Sequence, residues 1–505
     1  MEQGYRKPSL IASVGILFIV GALIALTVLK WEIDIHITLI IGAIITVAYG
    51  IVVLRIDYPT IEKGIIDGIM SGMQANLILM TVGCLIGTWI VTGVVPSMIY
   101  YGLSILSPSI FLLATLIICS IVSLATGTSW GTSGTVGIAL MGIAIGLGIP
   151  SPLTAGIVIS GAYFGDKMSP LSDTTNLAPA VSGTDLFQHI RAMVWTTGPT
   201  YLIVAVITVV MGFGYAGGEL DVGKISALQE VIKTEFWVHP VTLLAPAVVI
   251  GLSAMRKPAI PSLWAGVAVA FIFGVIQHVG VGNLVDIMNY GYSPSLSAEI
   301  VEAEGEALAV LLAENGLLLL PEFAKEAAND IVELMARGGL QSMMWTISLI
   351  FCAFTFGSAM ETVGCLKVML EAIMKLVKGI TGMVIAVIIS CTVCNIFLGD
   401  QYLSIAMPGR MFKSAFDASG LHPRMLSRSL EDAGTLTSVL IPWNTCGAYH
   451  ATVLGVSTFA YAPYAFLNYL NPLIAIFMTA MGIGIAWRGK DGEPVISKTR
   501  PADLA

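Results

Sequence analysis

The longest stretch without charge in this chain covers 98 residues, Gly68 to Gly165, with no Asp, Glu, Lys or Arg. A second such stretch covers 55 residues, Ala433 to Trp487. A soluble domain places charged side chains over its surface, whereas a chain inside a bilayer keeps them out of the hydrocarbon. Both stretches exceed the roughly 20 residues of one transmembrane helix. Each stretch therefore contains several spans or hairpins.

The composition of the whole chain agrees with a lipid environment. Only 11% of its 505 residues are charged, against roughly 25% in soluble domains, and 56% are hydrophobic. The net charge is −8 and there is no basic run, which excludes nucleic acid as a partner. The histidines form no HExxH pattern and the one CxxC has no second pair, so we expect neither an enzyme nor a bound cofactor.

The distribution of charge predicts an all-α polytopic membrane protein with about 11 to 14 transmembrane helices, the first over residues Pro8 to Leu29. Basic residues at Arg6 and Lys7 and in the tail from Arg488 place both termini in the cytoplasm, since cytoplasmic loops carry the excess of Lys and Arg. The protein is thus expected in the cytoplasmic membrane. The segment from Asp286 to Arg337 has ten acidic and two basic residues, which predicts an extracytoplasmic loop with helical pieces.

Residues that continue a helix poorly divide the longer uncharged stretch. The breaks are predicted at Pro96, at Ser107 and Pro108, between Gly127 and Gly137, and between Ile149 and Pro152.

The sequence also contains a weak internal repeat. Gly165, Ser169 and Leu171 recur 269 positions later as Gly434, Ser438 and Leu440. The same shift relates the limits of one uncharged region to those of another. The distribution of basic residues predicts that the two units start on opposite sides of the membrane. Repeats of inverted topology are typical of secondary transporters, whose sites form at the bilayer midplane on broken helices.

The domain organisation follows from this repeat. We expect N-terminal helices with an amphipathic segment at 1–67, a first inverted repeat at 68–218, a linker with two spans and the acidic loop at 219–337, a second repeat at 338–487, and a cytoplasmic tail at 488–505.

Polar residues at membrane depth are costly and mark function. They occur in four motifs: 127–135 and 161–176 in the first unit, and 394–402 and 431–445 in the second. The shift of 269 places each motif of one unit opposite a motif of the other. A dehydrated Na⁺ needs about five or six hard oxygens, which carboxylates, hydroxyls, amides and free carbonyls can supply together.

Within the motifs, Lys167 is predicted to neutralise its neighbour Asp166, which makes Asp173 the better cation ligand. Asp400 follows an uncharged stretch and is expected near the midplane, where a carboxyl can hold H⁺ or Na⁺ but not both. The predicted Na⁺ ligands are Asp173, Asn176 and Asp400. The full set of candidate binding residues is Thr132, Ser133, Asp166, Ser169, Ser172, Asp173, Thr174, Thr175, Asn176, Asp400, Thr437, Ser438, Asn444 and Thr445. The candidates for proton coupling are Asp166, Asp173, Asp400, Glu431 and Asp432.

Structural alternatives remain open for these residues. Ser172 and its neighbours are also suited to cap a half-helix without touching an ion. Gly127 and Gly131 form a GxxxG pair that suits close helix packing. Glu431 and Asp432 are placed to form a surface ion pair with Arg428.

The stretch GDKMSPLSDTTNLA at 165–178, together with GTSWGT at 127–132, resembles the NhaC-type Na⁺/H⁺ antiporter family of the ion transporter superfamily. The resemblance implies a scaffold domain and a transport domain with two tip-to-tip hairpins, near Ser169 to Asn176 and Ser438 to Thr445. It further implies an elevator-like movement and a homodimer.

The leading hypothesis is a Na⁺/H⁺ exchanger, with Na⁺ and H⁺ as the transported ions. The alternative is a Na⁺- or H⁺-coupled carrier of a small organic acid, such as malate or lactate, or of an amino acid. That alternative requires positive charge or half-helix N-termini facing the organic anion, and only Lys167 and Arg410 are near the motifs.

Overall fold

The computed structural model describes residues 5–31, 33–216 and 222–502, and these are almost entirely helical. Three helices come first: α1 (Leu10–Ala25), α2 (His36–Val52) and α3 (Tyr58–Ser71). A π-helical turn extends α1 through Lys30, so the helix covers the predicted first span.

The predicted first repeat contains a helix that is broken once and a helical hairpin. Its elements are α4 (Met73–Val91), α5 (Val94–Ile105), α6 (Pro108–Thr126), α7 (Ser129–Thr132), a π-helical turn (Ser133–Gly137), α8 (Ile138–Gly146), α9 (Ser151–Met168), α10 (Asp173–Ser182) and α11 (Leu186–Ala216). The predicted boundary of this unit at 218 lies outside the described residues.

The middle of the chain holds α12 (Val222–Glu235), a 3-10 turn (Pro240–Leu243), α13 (Leu244–Ala254), α14 (Ala259–Ile276), α15 (Val281–Tyr290), α16 (Ser295–Glu302), α17 (Gly305–Glu314) and α18 (Pro321–Met335). The acidic segment therefore folds into helices, and the helical pieces predicted within it are confirmed. Helix α18 packs on α12 and α16. The side of the membrane on which these helices lie stays a prediction.

The helices of the predicted second repeat follow a 3-10 turn (Leu340–Met343). Its elements are α19 (Met344–Val363), α20 (Cys365–Lys375), α21 (Gly379–Leu398), α22 (Gln401–Ala418), α23 (Arg424–Ala433), a 3-10 turn (Ser438–Leu440), α24 (Thr445–Leu454), α25 (Thr458–Tyr461), a 3-10 turn (Ala462–Tyr464) and α26 (Phe466–Ala480). A two-stranded antiparallel hairpin follows, β1 (Ala486–Arg488) and β2 (Pro494–Ile496).

The order of helices in the first unit recurs in the second. Met73 and Met344, which begin α4 and α19, are 271 residues apart (344 − 73). Asp173 and Thr445, which begin α10 and α24, are 272 residues apart (445 − 173). These offsets exceed the sequence shift of 269 by two or three residues. The opposite orientation of the two units stays a prediction.

By length and composition, six of the described helices can cross a membrane. A seventh span results if Gly223–Glu235 and Pro240–Ala254, bent by 87° at their junction, cross as one. Four shorter apolar helices of 10 to 17 residues accompany them, which include α1 and α2. The chain is thus an all-α polytopic membrane protein, as predicted, while the figure of about 11 to 14 crossings stays a prediction.

The helix breaks lie where the sequence stops favouring helix. Gly127 ends α6 and Gly399 ends α21, both with left-handed backbone (φ 71° and 66°) that glycine adopts freely. The break predicted at Pro96 was wrong by three residues. Gly93 is left-handed (φ 78°) and Pro96 lies in the first turn of α5, where a missing N–H costs no helical hydrogen bond.

The two units are packed across each other. Helix α10 of the first unit contacts α22 and α23 of the second, while α24 of the second contacts α7 and the π-helical turn of the first. The hairpin of each unit is thus placed on the broken helix of the other. This crossed packing forms the centre in which the four polar motifs meet.

Candidate functional site

Asp166 is buried at the end of α9 and is held by the beginnings of two other helices. Its Oδ2 accepts hydrogen bonds from the Ser129 N–H (3.1 Å) and hydroxyl (2.6 Å) at the start of α7. Its Oδ1 accepts from the Ser172 hydroxyl at 2.5 Å. Helix N-termini offer free N–H groups to an anion, so this carboxylate joins the broken helix to the hairpin.

The first hairpin is closed by its own hydroxyl and amide groups. Ser172 is the N-cap of α10, and its neighbour Thr174 lies 3.1 Å from it, oxygen to oxygen. The Thr175 hydroxyl donates to the carbonyl oxygens of residues 166 and 167. The Asn176 amide donates to the carbonyl oxygens of residues 170 and 172, which leaves its Oδ1 free of these bonds. The capping alternative thus holds for Ser172.

Ser169 is the C-cap of α9. Its hydroxyl donates to the Leu124 carbonyl oxygen at 2.8 Å, which attaches the hairpin tip to α6.

Asp173 differs from these residues because it is exposed. It is the first residue of α10, where a carboxylate is favoured by the helix dipole. Asn176 is exposed on the same turn of helix.

Asp400 is the N-cap of α22 and is 4% exposed. Its Oδ1 accepts a hydrogen bond from the Leu403 N–H at 3.0 Å. The tip of the second hairpin lies against the same break, because the Thr445 N–H donates to the Gly399 carbonyl oxygen at 2.8 Å.

Asparagine side chains form the main hydrogen bonds of the second hairpin. Asn444 caps α24 and donates to the carbonyl oxygen of Asn395 on α21 at 3.1 Å. Asn395 donates in turn to the Gly434 carbonyl oxygen (2.8 Å) and to the Thr437 hydroxyl (2.9 Å). The Ser438 hydroxyl donates to the Thr435 carbonyl oxygen at 2.6 Å.

In the broken helix of the first unit, the Thr132 hydroxyl donates to the Thr128 carbonyl oxygen at 2.9 Å. The hydroxyl of Ser133 is buried and has no hydrogen-bond partner among the described residues. Gly127 and Gly131 lie on different helices, so the GxxxG alternative does not apply.

Lys167 does not neutralise Asp166, and that prediction was wrong. The lysine points instead to Asp432 on α23, with both side chains fully buried. Residues adjacent on a helix project about 100° apart, which turns Lys167 away from its neighbour. Asp432 also faces Arg428 (Nε to Oδ2 3.6 Å) and accepts from Asn471 at 2.7 Å. The predicted pair with Arg428 thus exists, but in the interior.

Glu431 is also fully buried. Its Oε1 accepts from the Thr435 hydroxyl at 2.7 Å, whereas its Oε2 has no hydrogen-bond partner within the described ranges. It lies within electrostatic range of Lys167 and Asp166.

Helix α10, which begins at Asp173, packs on α22, which Asp400 caps. The four motifs thus meet in one region. Asp166, Asp173 and Asp400 form no salt bridge with a basic side chain in the described ranges, and Lys167 is paired with Asp432.

Sequence reasoning missed Ser129 as a partner of Asp166. Ser129 belongs to a motif that was recognised, but the spacing did not indicate which side chains turn inward.

No group of three or more His, Cys, Asp or Glu side chains in the described ranges is arranged to hold a metal ion. Coordination of Na⁺ at this site would therefore combine one or two carboxylates with neutral oxygens.

Comparison with known proteins places the chain among transporters. A model of the Na⁺/H⁺ antiporter family matches residues 161–483. The chain is 36% identical over 479 residues to the Na⁺/H⁺ antiporter NhaC of Alkalihalophilus pseudofirmus, which covers 94% of this chain and 97% of that protein.

Two further relatives have other cargoes in their names. The malate-2H⁺/Na⁺-lactate antiporter of Bacillus subtilis is 38% identical over 472 residues, 93% of this chain and 94% of its own. The arginine/ornithine antiporter ArcD of Halobacterium salinarum is 33% identical over 450 residues, 88% and 85% respectively. The family match, the extended identity and the helical membrane fold agree, and the chain belongs to the Na⁺/H⁺ antiporter family.

Proposed function

We propose that this protein exchanges Na⁺ for H⁺ across the cytoplasmic membrane by alternating access, with Asp173 and Asp400 as the groups for which the two ions compete. One observation carries the proposal. Helix α10 of the first unit, which begins at Asp173, packs on α22 of the second unit, which Asp400 caps, while Lys167 is already paired with Asp432. A buried carboxylate without a basic partner must take up either a metal cation or a proton.

The two carboxylates are suited to successive steps. Asp173 is exposed and is the first to meet a hydrated cation, whereas Asp400 is buried behind the helix break. Hydroxyls and the free Oδ1 of Asn176 complete the Na⁺ shell. The binding of Na⁺ then displaces the proton, since one carboxylate cannot hold both.

The other acidic residues have supporting roles in this proposal. Asp166 accepts three hydrogen bonds and fixes the broken helix against the hairpin. Asp432 is engaged by Lys167 and Arg428. Glu431, with one free carboxyl oxygen, is the remaining candidate for carrying a proton.

The repeated order of helices and the crossed packing of the hairpins support alternating access between two inverted units. We propose that both termini are cytoplasmic and that the protein acts as a homodimer, as the family resemblance implies.

A second candidate is exchange of a small organic acid coupled to Na⁺ or H⁺. The N-termini of α10 and α24 both begin at the site, and such ends attract carboxylates. The name of the Bacillus subtilis malate and lactate relative points the same way. Against it, Lys167 is paired with Asp432, and Arg410 is exposed on α22.

The decisive experiment uses the purified chain in proteoliposomes with an imposed pH gradient. Na⁺, Li⁺, K⁺, malate, lactate and arginine are added separately, and collapse of the gradient is followed with a pH-sensitive dye. We expect Na⁺ alone to collapse the gradient in the wild type, and Asp400→Asn to abolish the response.

The matched control is Asp67→Asn, because Asp67 is exposed on α3, outside the site. It should retain the wild-type rate. Collapse only when an organic acid is present would favour the second candidate, and full Na⁺ response in Asp400→Asn would remove Asp400 from the mechanism.

A further inference from the structure

Asn395 is a polar residue in the apolar helix α21, five residues before Asp400 (400 − 395). Its side chain is fully buried, at 0% exposure. A buried amide costs free energy unless its donors and its acceptor are bonded, and both atoms of the Asn395 amide have partners. These partners show which parts of the fold the amide connects.

The donor side of the amide binds the first limb of the second hairpin, residues 424–437. The Asn395 Nδ2 donates to the carbonyl oxygen of Gly434, the C-cap of α23, at 2.8 Å. It also donates to the hydroxyl oxygen of Thr437 at 2.9 Å. Carbonyl oxygens at the end of a helix have no partner within the helix, so Asn395 satisfies the end of α23.

The acceptor side of the amide binds the tip of the same hairpin, residues 438–445. Asn444, the N-cap of α24, donates from its Nδ2 to the Asn395 Oδ1 at 3.2 Å and to the Asn395 backbone oxygen at 3.1 Å. The Asn444 Oδ1 accepts from the Cys446 N–H at 3.1 Å, which caps α24. Two amides in sequence thus join the limb to the tip at the end of α21.

Two further residues of the tip bind the end of α21. The Trp443 indole N–H donates to the Ile396 carbonyl oxygen at 2.6 Å, and the Thr445 N–H donates to the Gly399 carbonyl oxygen at 2.8 Å. The tip therefore caps the C-terminal end of this helix. Asp400 is the next residue along the chain and the N-cap of α22. The position of the tip thus fixes the helix break that presents Asp400.

The first unit has the limb contact without the link to the tip. The offset of 272 residues between the N-caps of α10 and α24 (444 − 172) also relates Ser123 to Asn395 (395 − 123). It relates Ala162 to Gly434 as well (434 − 162). The Ser123 hydroxyl donates to the Ala162 carbonyl oxygen at 2.5 Å, which is the equivalent contact. A hydroxyl thus serves for the limb, whereas the longer amide is found in the unit that carries Asp400.

We propose that Asn395 is a positioning residue of the ion site, whose amide holds the limb and the tip of the second hairpin against the end of α21 and so fixes Asp400 for ion binding. This inference rests on the proposed Na⁺/H⁺ exchange. Asn395 acts through Asn444 and does not bind the ion itself, because its donors and its oxygen are already bonded. Loss of the amide loosens the tip and lowers the affinity for Na⁺, while a bound ion is still carried.

The test is Asn395→Leu, which replaces the amide with an apolar side chain of similar size and retains the backbone carbonyl. Na⁺-driven proton movement is measured in proteoliposomes over a range of Na⁺ concentrations. We expect the apparent KM for Na⁺ to rise about fivefold, which converts to about 1 kcal/mol, with the maximal rate per folded protein unchanged. The matched control is Thr392→Val on the same helix, since the Thr392 hydroxyl donates to the Ile388 carbonyl oxygen of that helix at 2.9 Å. It should leave the KM unchanged.

A double variant shows whether Asn395 acts through the tip. Asn444→Ser removes the amide and retains a capping oxygen, since serine and asparagine cap helices about equally well. Adding Asn395→Leu to Asn444→Ser should raise the KM by less than it does in the wild type, because the shared hydrogen bond is already lost.

A second variant keeps the test decisive if Asn395→Leu unfolds, which thermal unfolding in detergent detects. Asn395→Ser introduces the residue that stands at the equivalent position of the first unit, and it should also raise the KM for Na⁺. A hydroxyl at this position lacks the second donor and the reach of the amide.

Four outcomes overturn the proposal. The first is an unchanged KM for Na⁺ in the folded Asn395 variants, and the second is a lower maximal rate per folded protein at unchanged KM, which indicates a structural role alone. The third is a full, independent rise of the KM in the double variant, which excludes action through Asn444. Wild-type vesicles without Na⁺-driven proton movement are the fourth, since they refute the proposed exchange itself and this inference with it.

Discussion

Lys167 and Asp432 form an ion pair between the two units of the chain, with neither side chain exposed to any extent. The lysine lies on α9 of the first unit and the aspartate on α23 of the second. Asp432 has a second cation, Arg428, on its own helix. Two cations thus share this carboxylate in the interior, whereas Asp166, Asp173 and Asp400 form no salt bridge with a basic side chain in the described ranges.

The first prediction concerns this ion pair. Asp432→Asn leaves two buried cations without their carboxylate partner and should lower the free energy of unfolding by about 3 to 5 kcal/mol. Lys167→Met should cost less, because Arg428 still compensates Asp432. Thermal unfolding in detergent measures both variants. Equal loss in the two variants would contradict the shared arrangement, and the double variant should regain part of the stability lost by Asp432→Asn.

The second prediction separates the role of Asp400 as the N-cap of α22 from its proposed role in ion binding. Asparagine caps a helix about as well as aspartate does, whereas alanine costs about 1 kcal/mol. Asp400→Asn should therefore keep the stability of the wild type, while Asp400→Ala should lower it by about that amount. Both should lose Na⁺-driven proton movement. A destabilised Asp400→Asn would show that more than the Leu403 hydrogen bond depends on the charge.

A third prediction follows from the exposure of Asp173. Asp173→Asn removes a favourable charge at the start of α10, worth about 0.3 to 1 kcal/mol, so the protein should remain folded. Na⁺/H⁺ exchange in proteoliposomes should nevertheless be abolished. Wild-type exchange in this variant would exclude Asp173 as a ligand.

The hydrogen bonds to Asp166 give the fourth prediction. Ser172→Ala removes a hydrogen bond to a charged group and the cap of α10, and should cost about 2 kcal/mol. Ser129→Ala is the matched control, because its backbone N–H still donates to Asp166. Unfolding midpoints compare the two. A larger loss in Ser129→Ala would mean that the hairpin cap is unimportant.

The fifth prediction concerns the break after α6. A Cβ at Gly127 would meet Leu171 atoms at 2.6 to 2.9 Å, and the residue is left-handed. Gly127→Ala should thus cost more than the about 1 to 2 kcal/mol of left-handed strain alone. Gly148→Ala provides the comparison, since Gly148 has similar backbone (φ 67°) and nothing within 4 Å. Similar melting temperatures for the two variants would contradict the close approach to Leu171.

The sequence predicted much of the helical framework because a charged side chain inside a bilayer has a high free-energy cost. Uncharged stretches of the chain therefore mark the helices that lie in the membrane. Pro108 begins a helix and Gly127 ends one, as their backbone preferences require. The helix break predicted at Pro96 was wrong, because proline is tolerated in a first helical turn and the break lies at Gly93. The Lys167 prediction failed for a different reason, since adjacency along the chain does not give the direction of a side chain on a helix.

The amino-acid sequence by itself determined that the chain lies in lipid, that its helices break at four polar motifs, and that it resembles a family of antiporters. Those properties depend on composition, backbone preference and short motifs. Only the tertiary structure decided which carboxylates are occupied and which are free. Asp166 is bound by Ser129 and Ser172, which the folding of the first unit brings to it. Asp432 is bound by Lys167, because crossed packing of the two units brings together side chains that are 265 residues apart.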